Sequence, residues 1–472
     1  MDFNTRYAKL NDNQRQAVDY IHGSLLVIAG PGTGKTELLS MRTAQILRQT
    51  DTLPNSILCL TFTESGATNM RQRLRQIIGE DAYKIAIHTF HSFGTEIINQ
   101  HREYFFRGAD AQPVDELTQY QIISGILEGL DWRNPLSAKN NGEFVYIKEL
   151  IRIISEFKQS GLTPSELRAI IEDNQSTIAE IAPDIQQVFS AKISKKTIEM
   201  FAPIAEKIAN LAAKNPDEKS SKLPASITPY ANVLALSIVH TTQEAIDENS
   251  TKPLTAWKNK WCEKNANGEF VLKDFTAAEK LSAAIDVYEK YVNILSERSL
   301  FDYDDMILSV IQACESHPEL RANLQEQFQF IMVDEFQDTN LAQLRLLFNL
   351  TSDNDDNPNI MAVGDDDQAI FSFQGADVGN IQRFRQHYHD PKIIVLTDNY
   401  RSAENILSSA RDVITQGADR LENTIDGLSK QLTAHANSEG SKVEIQEFSS
   451  VSEERAGIAK QIAELIKNGE KP

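Results

Sequence analysis

A glycine-rich turn near the start of the chain carries residue types that bind phosphate. The turn reads Ala29-Gly30-Pro31-Gly32-Thr33-Gly34-Lys35-Thr36 and follows an apolar run that begins at Ser24. A strand, a glycine-rich turn and a helix in that order form a P-loop, whose backbone N–H groups hold phosphate oxygens. We expect Lys35 to reach the terminal phosphates of a nucleotide and the Thr36 hydroxyl to hold Mg²⁺. Ala29 departs from the strict pattern, in which glycine often stands first.

A pair of acidic residues supplies the second part of a hydrolytic site. Asp334 and Glu335 directly follow the apolar run Phe330 to Val333, and α/β sheets place ligands at such strand ends. Asp334 is suited to Mg²⁺, and Glu335 to orienting or deprotonating an attacking water. By itself an Asp-Glu pair is also typical of a solvated turn or a helix N-cap. The P-loop upstream favours the hydrolytic interpretation.

These residues need a parallel sheet to position them. Short apolar runs alternate with stretches of helical spacing, which indicates an α/β fold with helices on both faces of the sheet. The predicted strands are Ser24 to Gly30, Ser56 to Thr61, Lys84 to Ile87, Phe328 to Val333, Asn359 to Val363 and Lys392 to Leu396.

The alternation stops near Gly94 and resumes only at Phe328, so the interval is predicted to be a large all-α insertion. Its clearest helical stretches are Tyr146 to Phe157, Ile178 to Phe189, Ala202 to Ala213 and Ala277 to Leu295. The polar stretch Lys214 to Pro224 is typical of an exposed loop.

Beyond Asn399 the sequence predicts a helix over Ala403 to Ile414, a strand over Lys442 to Phe448 and a helix over Ser452 to Lys467. One strand and two helices are too few for a complete second α/β domain. We therefore expect a truncated chain that hydrolyses nucleotide poorly by itself.

Composition restricts the setting. The net charge is −20, so a nucleic-acid site must be a local basic surface rather than a general coating. Three cysteines without paired spacing argue against a zinc or iron-sulfur site and favour a reducing, cytoplasmic setting. We expect no membrane segment, because the apolar runs are far shorter than the roughly 20 residues that span a bilayer.

Seven motifs in order resemble the UvrD/PcrA/Rep helicases of superfamily 1, and they cover nearly the whole chain outside the insertion. A further stretch, Phe301 to Met306, resembles the segment that precedes the family's acidic motif. The seven are Leu10-Asn11 with Gln14, the P-loop, Leu60 to Thr63, Thr89 to Phe93, Asp334 to Asn340, Gly364 to Ala376, and Asn399-Tyr400-Arg401-Ser402.

The resemblance implies ATP as the nucleotide. It implies that Gln14 reads the adenine edge and that Tyr400 stacks on the base. Gln368 would sense the γ-phosphate and link it to DNA, with Gln337 in the same network. Arg401 would stabilise charge on the γ-phosphate, for which a planar, permanently charged guanidinium is suited.

The same resemblance implies contacts with single-stranded DNA, whose bases would stack on aromatic rings. Aromatic residues near strand ends are also typical of the core, so that alternative stays open. The residues concerned are Phe62, Thr63, Thr89, Phe90, His91, Phe371 and Phe373.

The chain departs from the family at the DNA side. Glu64-Ser65 stands where Asn-Lys is usual, Phe373 where tryptophan is usual and Gln374 where arginine is usual. The loss of two cations and of a larger ring should weaken DNA binding. Candidates to compensate are the arginines Arg71, Arg73 and Arg75, or the helical insertion.

Together these features predict a RecA-like motor domain from residues 1–94 and 296–395. Residues 95–295 would form the helical insertion, and residues 396–472 an incomplete start of a second motor domain. The implied activity is ATP-dependent 3′ to 5′ movement along single-stranded DNA, with duplex separation at single/double-strand junctions. Two alternatives are the motor of a RecB/AddA-type helicase-nuclease and a nucleotide-dependent DNA-binding protein without motor activity.

Overall fold

The computed structural model describes residues 3–105, 111–190, 193–194, 198–214, 227–265, 267–351, 357–369, 379–389, 391–417, 420–425, 427–436 and 442–470. The chain forms two compact units. The first unit comprises residues 1–27 and 36–394, and the second comprises residues 28–35 and 395–472.

The strands begin and end close to the predicted positions in the motor-like part of the chain. Those described are β1 (Leu25–Ala29), β2 (Ile57–Thr61), β3 (Ala86–Thr89), β4 (Gln112–Pro113), β5 (Lys139–Asn140), β6 (Glu143–Phe144), β7 (Cys262–Lys264), β8 (Phe270–Leu272), β9 (Leu300–Phe301), β10 (Phe330–Val333), β11 (Ile360–Gly364), β12 (Lys392–Leu396), β13 (Asp398–Asn399) and β14 (Thr433–Ala434).

Six of these strands form the central sheet, in the order β12-β1-β11-β10-β2-β3. The pairings of β2 with β3, β2 with β10 and β10 with β11 are parallel, with Val333 opposite Leu60. Every residue of β1, β2, β10 and β11 is buried, which explains their uninterrupted apolar sequences. The predicted α/β fold with a parallel sheet is confirmed.

Helices surround this sheet and fill most of the interval between β3 and β10. The four helical stretches predicted there correspond to the helices Ile147–Gln159 (α7), Pro164–Ser190 (α8), Ala202–Lys214 (α9) and Asp274–Glu297 (α12). The described helices are α1 (Phe3–Tyr7), α2 (Asp12–Asp19), α3 (Lys35–Gln49), α4 (Glu64–Ile78), α5 (Phe90–Gln100), α6 (Glu116–Glu128), α7 (Ile147–Gln159), α8 (Pro164–Ser190), α9 (Ala202–Lys214), α10 (Tyr230–Asp247), α11 (Lys252–Trp261), α12 (Asp274–Glu297), α13 (Tyr303–Ser316), α14 (Pro318–Gln327), α15 (Leu341–Leu350), α16 (Gly379–His387), α17 (Glu404–Ile414), α18 (Leu421–Thr424) and α19 (Val451–Lys467).

The sequence predicted an all-α insertion, but the insertion also contains two small antiparallel hairpins, β5-β6 and β7-β8. Asn141 and Gly142 join β5 to β6 with φ of 52° and 86°. Consecutive positive φ values are what a tight hairpin turn requires, and Asn-Gly adopts them readily. Helical spacing of apolar residues does not reveal a turn that depends on only these two residues.

A short parallel pair brings together the two ends of the insertion. The Gln112 N–H donates to the Ser299 carbonyl at 2.9 Å, and the Val114 N–H donates to the Phe301 carbonyl at 2.8 Å. The segments that precede and follow residues 115–298 are therefore paired with each other.

A buried lysine anchors α7 to the start of α13. The side chain of Lys158 has no exposed area, and its ammonium donates to Asp302 at 2.5 Å and lies 2.6 Å from Asp305. Burial opposes the charge on Lys158, but the two carboxylates outweigh burial, so its pKa is raised. Burial also raises the pKa of Asp305, to about 6. Removal of the ammonium would leave carboxylates buried without their cation.

A second buried cation ties the turn between α7 and α8 to α15. Arg345 donates to the Gly161 carbonyl at 2.6 Å and forms ion pairs with Glu166 and Glu315, each at 2.6 Å. Gly161 has a φ of 71°, and a Cβ there would lie 3.1 Å from the Ala342 backbone. The turn therefore requires glycine. Since α15 follows the acidic motif directly, the insertion is fixed to that motif's own helix.

The second unit contains α17 and α19 close to their predicted bounds. The predicted strand over Lys442 to Phe448 is wrong, because these residues form no strand in the part of the chain that the structure describes. Ile445 is 97% exposed. Alternating hydrophobicity alone does not make a strand when no neighbouring strand accepts its backbone hydrogen bonds. Residues 215–226, most of the predicted loop, lie outside the described residues.

Within the described ranges, no helix combines the length and apolar character needed to cross a membrane.

Candidate nucleotide and DNA sites

The P-loop has the backbone conformation that its glycines permit. Gly32 and Gly34 have φ of 72° and 89°, and the buried Thr33 hydroxyl donates to the Gly30 carbonyl at 2.8 Å, which closes the loop on itself. The helix α3 starts at Lys35, immediately after the loop. A glycine loop that leads into a helix N-terminus presents N–H groups to an anion.

The Asn399-Tyr400-Arg401-Ser402 segment lies directly against this loop, within the same unit. The Asn399 amide donates to the Pro31 carbonyl, and the Tyr400 N–H donates to the Gly32 carbonyl at 3.0 Å. The Asn399 side-chain oxygen accepts the N–H groups of Arg401 and Ser402 at 2.9 and 2.7 Å. Asn399 is therefore the residue that positions Tyr400 and Arg401, a role that the sequence did not reveal.

Gly32 shows how closely the segment approaches the loop. A Cβ at Gly32 would lie 2.7 Å from both the Arg401 Cβ and the Asn399 Nδ2. Real Cβ atoms do not approach this closely, so only glycine fits here.

The acidic motif in the first unit contains a strained residue. Glu335 has φ 49° and ψ 46°, the left-handed region, directly after β10 and before a turn of 3-10 helix over Phe336–Asp338. A non-glycine residue in this region costs about 1–3 kcal/mol, and such strain concentrates at functional sites. The Glu335 N–H donates to the Asp334 side chain at 3.0 Å. This bond holds the Asp334 carboxylate against the backbone of Glu335.

Gln337 links this motif to the end of the neighbouring strand β11. Its side-chain amide donates to Glu335 at 2.9 Å, and its oxygen accepts the Asp365 N–H at 3.0 Å. Gln368 then donates to the Asp365 carboxylate at 2.8 Å. A Cβ on Gly364 would lie 2.6 Å from the Gln337 oxygen, so the approach depends on glycine. The structure thus brings Glu335, Gln337 and Gln368 into one hydrogen-bonded line.

The oxygen donors present fit Mg²⁺, which prefers carboxylate, hydroxyl and phosphate oxygens. Thr36 is half-buried in the first turn of α3, and Asp334 follows β10. Among the described residues, the carboxylates of Asp365, Asp366 and Asp367 also lie close together, within 4.8 Å of one another.

Gln14 lies near the start of α2, where it closes a capping box. Its side-chain oxygen accepts the Asn11 N–H at 3.1 Å, and the Asn11 side chain accepts the Gln14 N–H at 2.8 Å. The capping box thereby fixes the orientation of the buried Gln14 amide. Contact with adenine remains a prediction.

The residues expected to contact DNA fall into three groups. Thr63 and Thr89 are the N-caps of α4 and α5. Phe62 is half-buried. Phe90 is only 3% exposed, so it is a core residue, which is the alternative that the sequence left open. Phe371 and Phe373 lie outside the described residues.

His91 is half-buried beside an exposed ring that the sequence interpretation overlooked. Tyr303, the first residue of α13, is 63% exposed and meets the His91 ring edge-to-face at 6.5 Å. Burial lowers the pKa of His91, against the opposing effect of Asp304. The sequence signal that could have identified Tyr303 is an aromatic residue within the acidic run Phe301 to Met306.

Glu64 introduces a negative charge among these residues. Its carboxylate accepts the Thr89 hydroxyl at 3.0 Å and so joins the two predicted DNA segments. The arginines offered as compensation have protein partners. Arg71 donates to the Ile87 carbonyl at 2.9 Å, and Arg73 lies 3.3 Å from Glu37.

Comparison with known proteins accounts for these motifs together. Residues 10–214 and 185–389 match the family described as UvrD/REP helicase N-terminal domain. Residues 394–472 match the UvrD-like helicase C-terminal domain.

Individual relatives agree. The chain is 27% identical over 470 residues to the ATP-dependent DNA helicase PcrA of Staphylococcus epidermidis, covering 99% of this chain and 47% of that protein. It is 26% identical over 462 residues to PcrA of Staphylococcus aureus, covering 98% and 46%. The chain spans about half the length of the curated relatives it matches. From its family matches, the chain belongs to the UvrD/Rep DNA helicase family.

Proposed function

We propose that this chain provides the ATP-hydrolysing part of a DNA helicase that moves 3′ to 5′ along single-stranded DNA and separates duplex at junctions. The P-loop holds the triphosphate, with Lys35 at its terminal phosphates, and Thr36 and Asp334 hold Mg²⁺. When bound, Mg²⁺ neutralises phosphate charge and orients the nucleotide. Cys59, Cys262 and Cys314 are buried free thiols, which suits the cytoplasmic setting that we propose.

The residues divide the chemistry among them. Glu335 orients the attacking water and accepts its proton, and Arg401 stabilises charge that develops on the γ-phosphate. Gln14 and Tyr400 recognise the base. Phe62, Thr63, Thr89 and His91 contribute to DNA binding.

One observation carries the proposal: the hydrogen-bonded line from Glu335 through Gln337 and Asp365 to Gln368. It connects the carboxylate assigned to hydrolysis with a second segment at the end of a neighbouring strand. A motor needs such a connection, because a change at the phosphate must alter the conformation of other segments of the protein.

The experiment is single-turnover ATP hydrolysis with excess protein, with and without single-stranded DNA. Glu335→Gln keeps the shape of the side chain but removes the base, so Mg-ATP binding should persist while the rate falls by about 10²–10⁴-fold. Glu326→Gln, at an exposed position on α14, is the matched control and should leave the rate unchanged. Equal rates for parent and Glu335→Gln would remove Glu335 from the mechanism.

A nucleotide-dependent DNA-binding protein without motor activity is the second candidate. Glu64 is the observation behind it, because its carboxylate engages Thr89 where the proposed DNA contacts lie and so opposes the grip on DNA that a motor needs. Directional movement would distinguish the two. The motor proposal predicts DNA-stimulated ATP turnover and faster displacement of a block at the 5′ end than of one at the 3′ end.

A further inference from the structure

The second unit contains a short ribbon that returns to the Asn399-Tyr400-Arg401 segment. Strands β13 and β14 pair in parallel, with Asn399 opposite Ala434. The Thr433 N–H donates to the Thr397 carbonyl at 2.8 Å, and the His435 N–H donates to the Asn399 carbonyl at 2.7 Å. The backbone of His435 is therefore fixed beside Tyr400, although the two are far apart in sequence.

The side chain of His435 lies on the Tyr400 ring. The ring centroids are 5.4 Å apart and the planes differ by 27°, which is a stacked arrangement. The His435 Nε2 lies 2.9 Å from the Asp398 Oδ1. Because a carboxylate only accepts hydrogen bonds, the Nε2–H donates. The imidazole is thus held by its backbone, by Asp398 and by the stack.

The Tyr400 ring lies partly in solvent. The residue is 47% exposed, and an exposed tyrosine ordinarily samples several rotamers, whose loss on binding costs affinity. Its backbone is tied to the P-loop through the Gly32 carbonyl at 3.0 Å. A ring fixed at both backbone and side chain is pre-organised relative to the phosphate loop.

We propose that His435 and Asp398 are positioning residues that hold the Tyr400 ring in place to stack on the base of a nucleoside triphosphate. The inference rests on the nucleotide site proposed above and adds two residues to it. They act through Tyr400 and contact neither phosphate nor magnesium. Their effect is confined to ligands that carry a base.

The test compares two ligands, Mg-ATP and magnesium tripolyphosphate, which share phosphate chemistry but differ in the base. Calorimetry should show that His435→Ala weakens ATP binding about threefold to tenfold, the range for an aromatic pair, and leaves tripolyphosphate unchanged. His435→Phe keeps a ring to stack on Tyr400 but loses the hydrogen bond to Asp398, so its ATP affinity should fall between those of the parent and His435→Ala. Thr433→Ala, an exposed position on the same ribbon, is the matched control and should bind both ligands as the parent does.

Two results would overturn the inference. Equal weakening of ATP and tripolyphosphate by His435→Ala would show a general role in holding the ribbon together, and unchanged ATP binding would show no role. Failure of the parent to bind either ligand would instead refute the nucleotide site itself, and the inference with it. Thermal unfolding of each variant confirms that the proteins compared are folded.

Discussion

Substitution of Gly32 by alanine should impair nucleotide binding by a mechanism that can be worked out from the structure. The φ of 72° places Gly32 in the left-handed region, where an L-residue costs about 1–2 kcal/mol. The new Cβ would also lie 2.7 Å from the Asn399 Nδ2, which donates to the Pro31 carbonyl. Displacement of that amide loses a hydrogen bond worth about 0.5–1.5 kcal/mol.

Together these costs oppose the observed loop conformation by about 1.5–3.5 kcal/mol. At 1.4 kcal/mol for each tenfold change, the dissociation constant of Mg-ATP should rise by roughly 10-fold to 300-fold. Isothermal titration calorimetry measures this directly.

Gly79 provides the matched control. Its φ is 69°, yet no atom lies within 4 Å of where a Cβ would be placed. Gly79→Ala also places an L-residue at positive φ, but without a clash, so it should lower stability while Mg-ATP affinity is retained. If Gly32→Ala bound Mg-ATP as tightly as Gly79→Ala, the assignment of this loop to phosphate would be refuted.

Three further predictions concern stability and DNA. Lys158→Met should destabilise the chain by about 3–5 kcal/mol in chemical denaturation, because it leaves two largely buried carboxylates without their cation; a loss below about 1 kcal/mol would contradict the anchoring role. Glu64→Gln should tighten single-stranded DNA binding in fluorescence titrations, with a gain that fades at high salt, whereas a salt-independent gain would exclude an electrostatic cause. Phe373→Trp should also tighten binding by a fraction of the about 1–3 kcal/mol that base stacking contributes, and no gain would favour a core position for Phe373.

The sequence predicted those parts of the fold that depend on local patterns. The buried strands β1, β2 and β10 are uninterrupted apolar runs, and the P-loop and the Asp334-Glu335 pair each follow such a run directly. Because strand ends carry the site in this fold, locating the strands also located the main candidate residues.

Contacts between distant segments could not be predicted. The stack of His435 on Tyr400 depends on the pairing of β13 with β14. Strands of two residues have no sequence pattern from which this pairing could be predicted. The resemblance placed Gln337 in one network with Gln368, but the link between them through Asp365 depends on the sheet, which places β10 beside β11. Phe90 shows a different limit. An aromatic residue after a strand has the same sequence pattern whether its side chain faces solvent or, as for Phe90, the core.

The central claim is that the glycine-rich loop binds the phosphates of ATP through Lys35. Calorimetric titration of Mg-ATP into the parent chain and Lys35→Ala tests it most directly, since the substitution removes the cation and leaves the loop's backbone N–H groups. The account predicts saturable binding by the parent and a much weaker or undetectable interaction with the variant. Equal affinity for the two proteins, both folded, would contradict it.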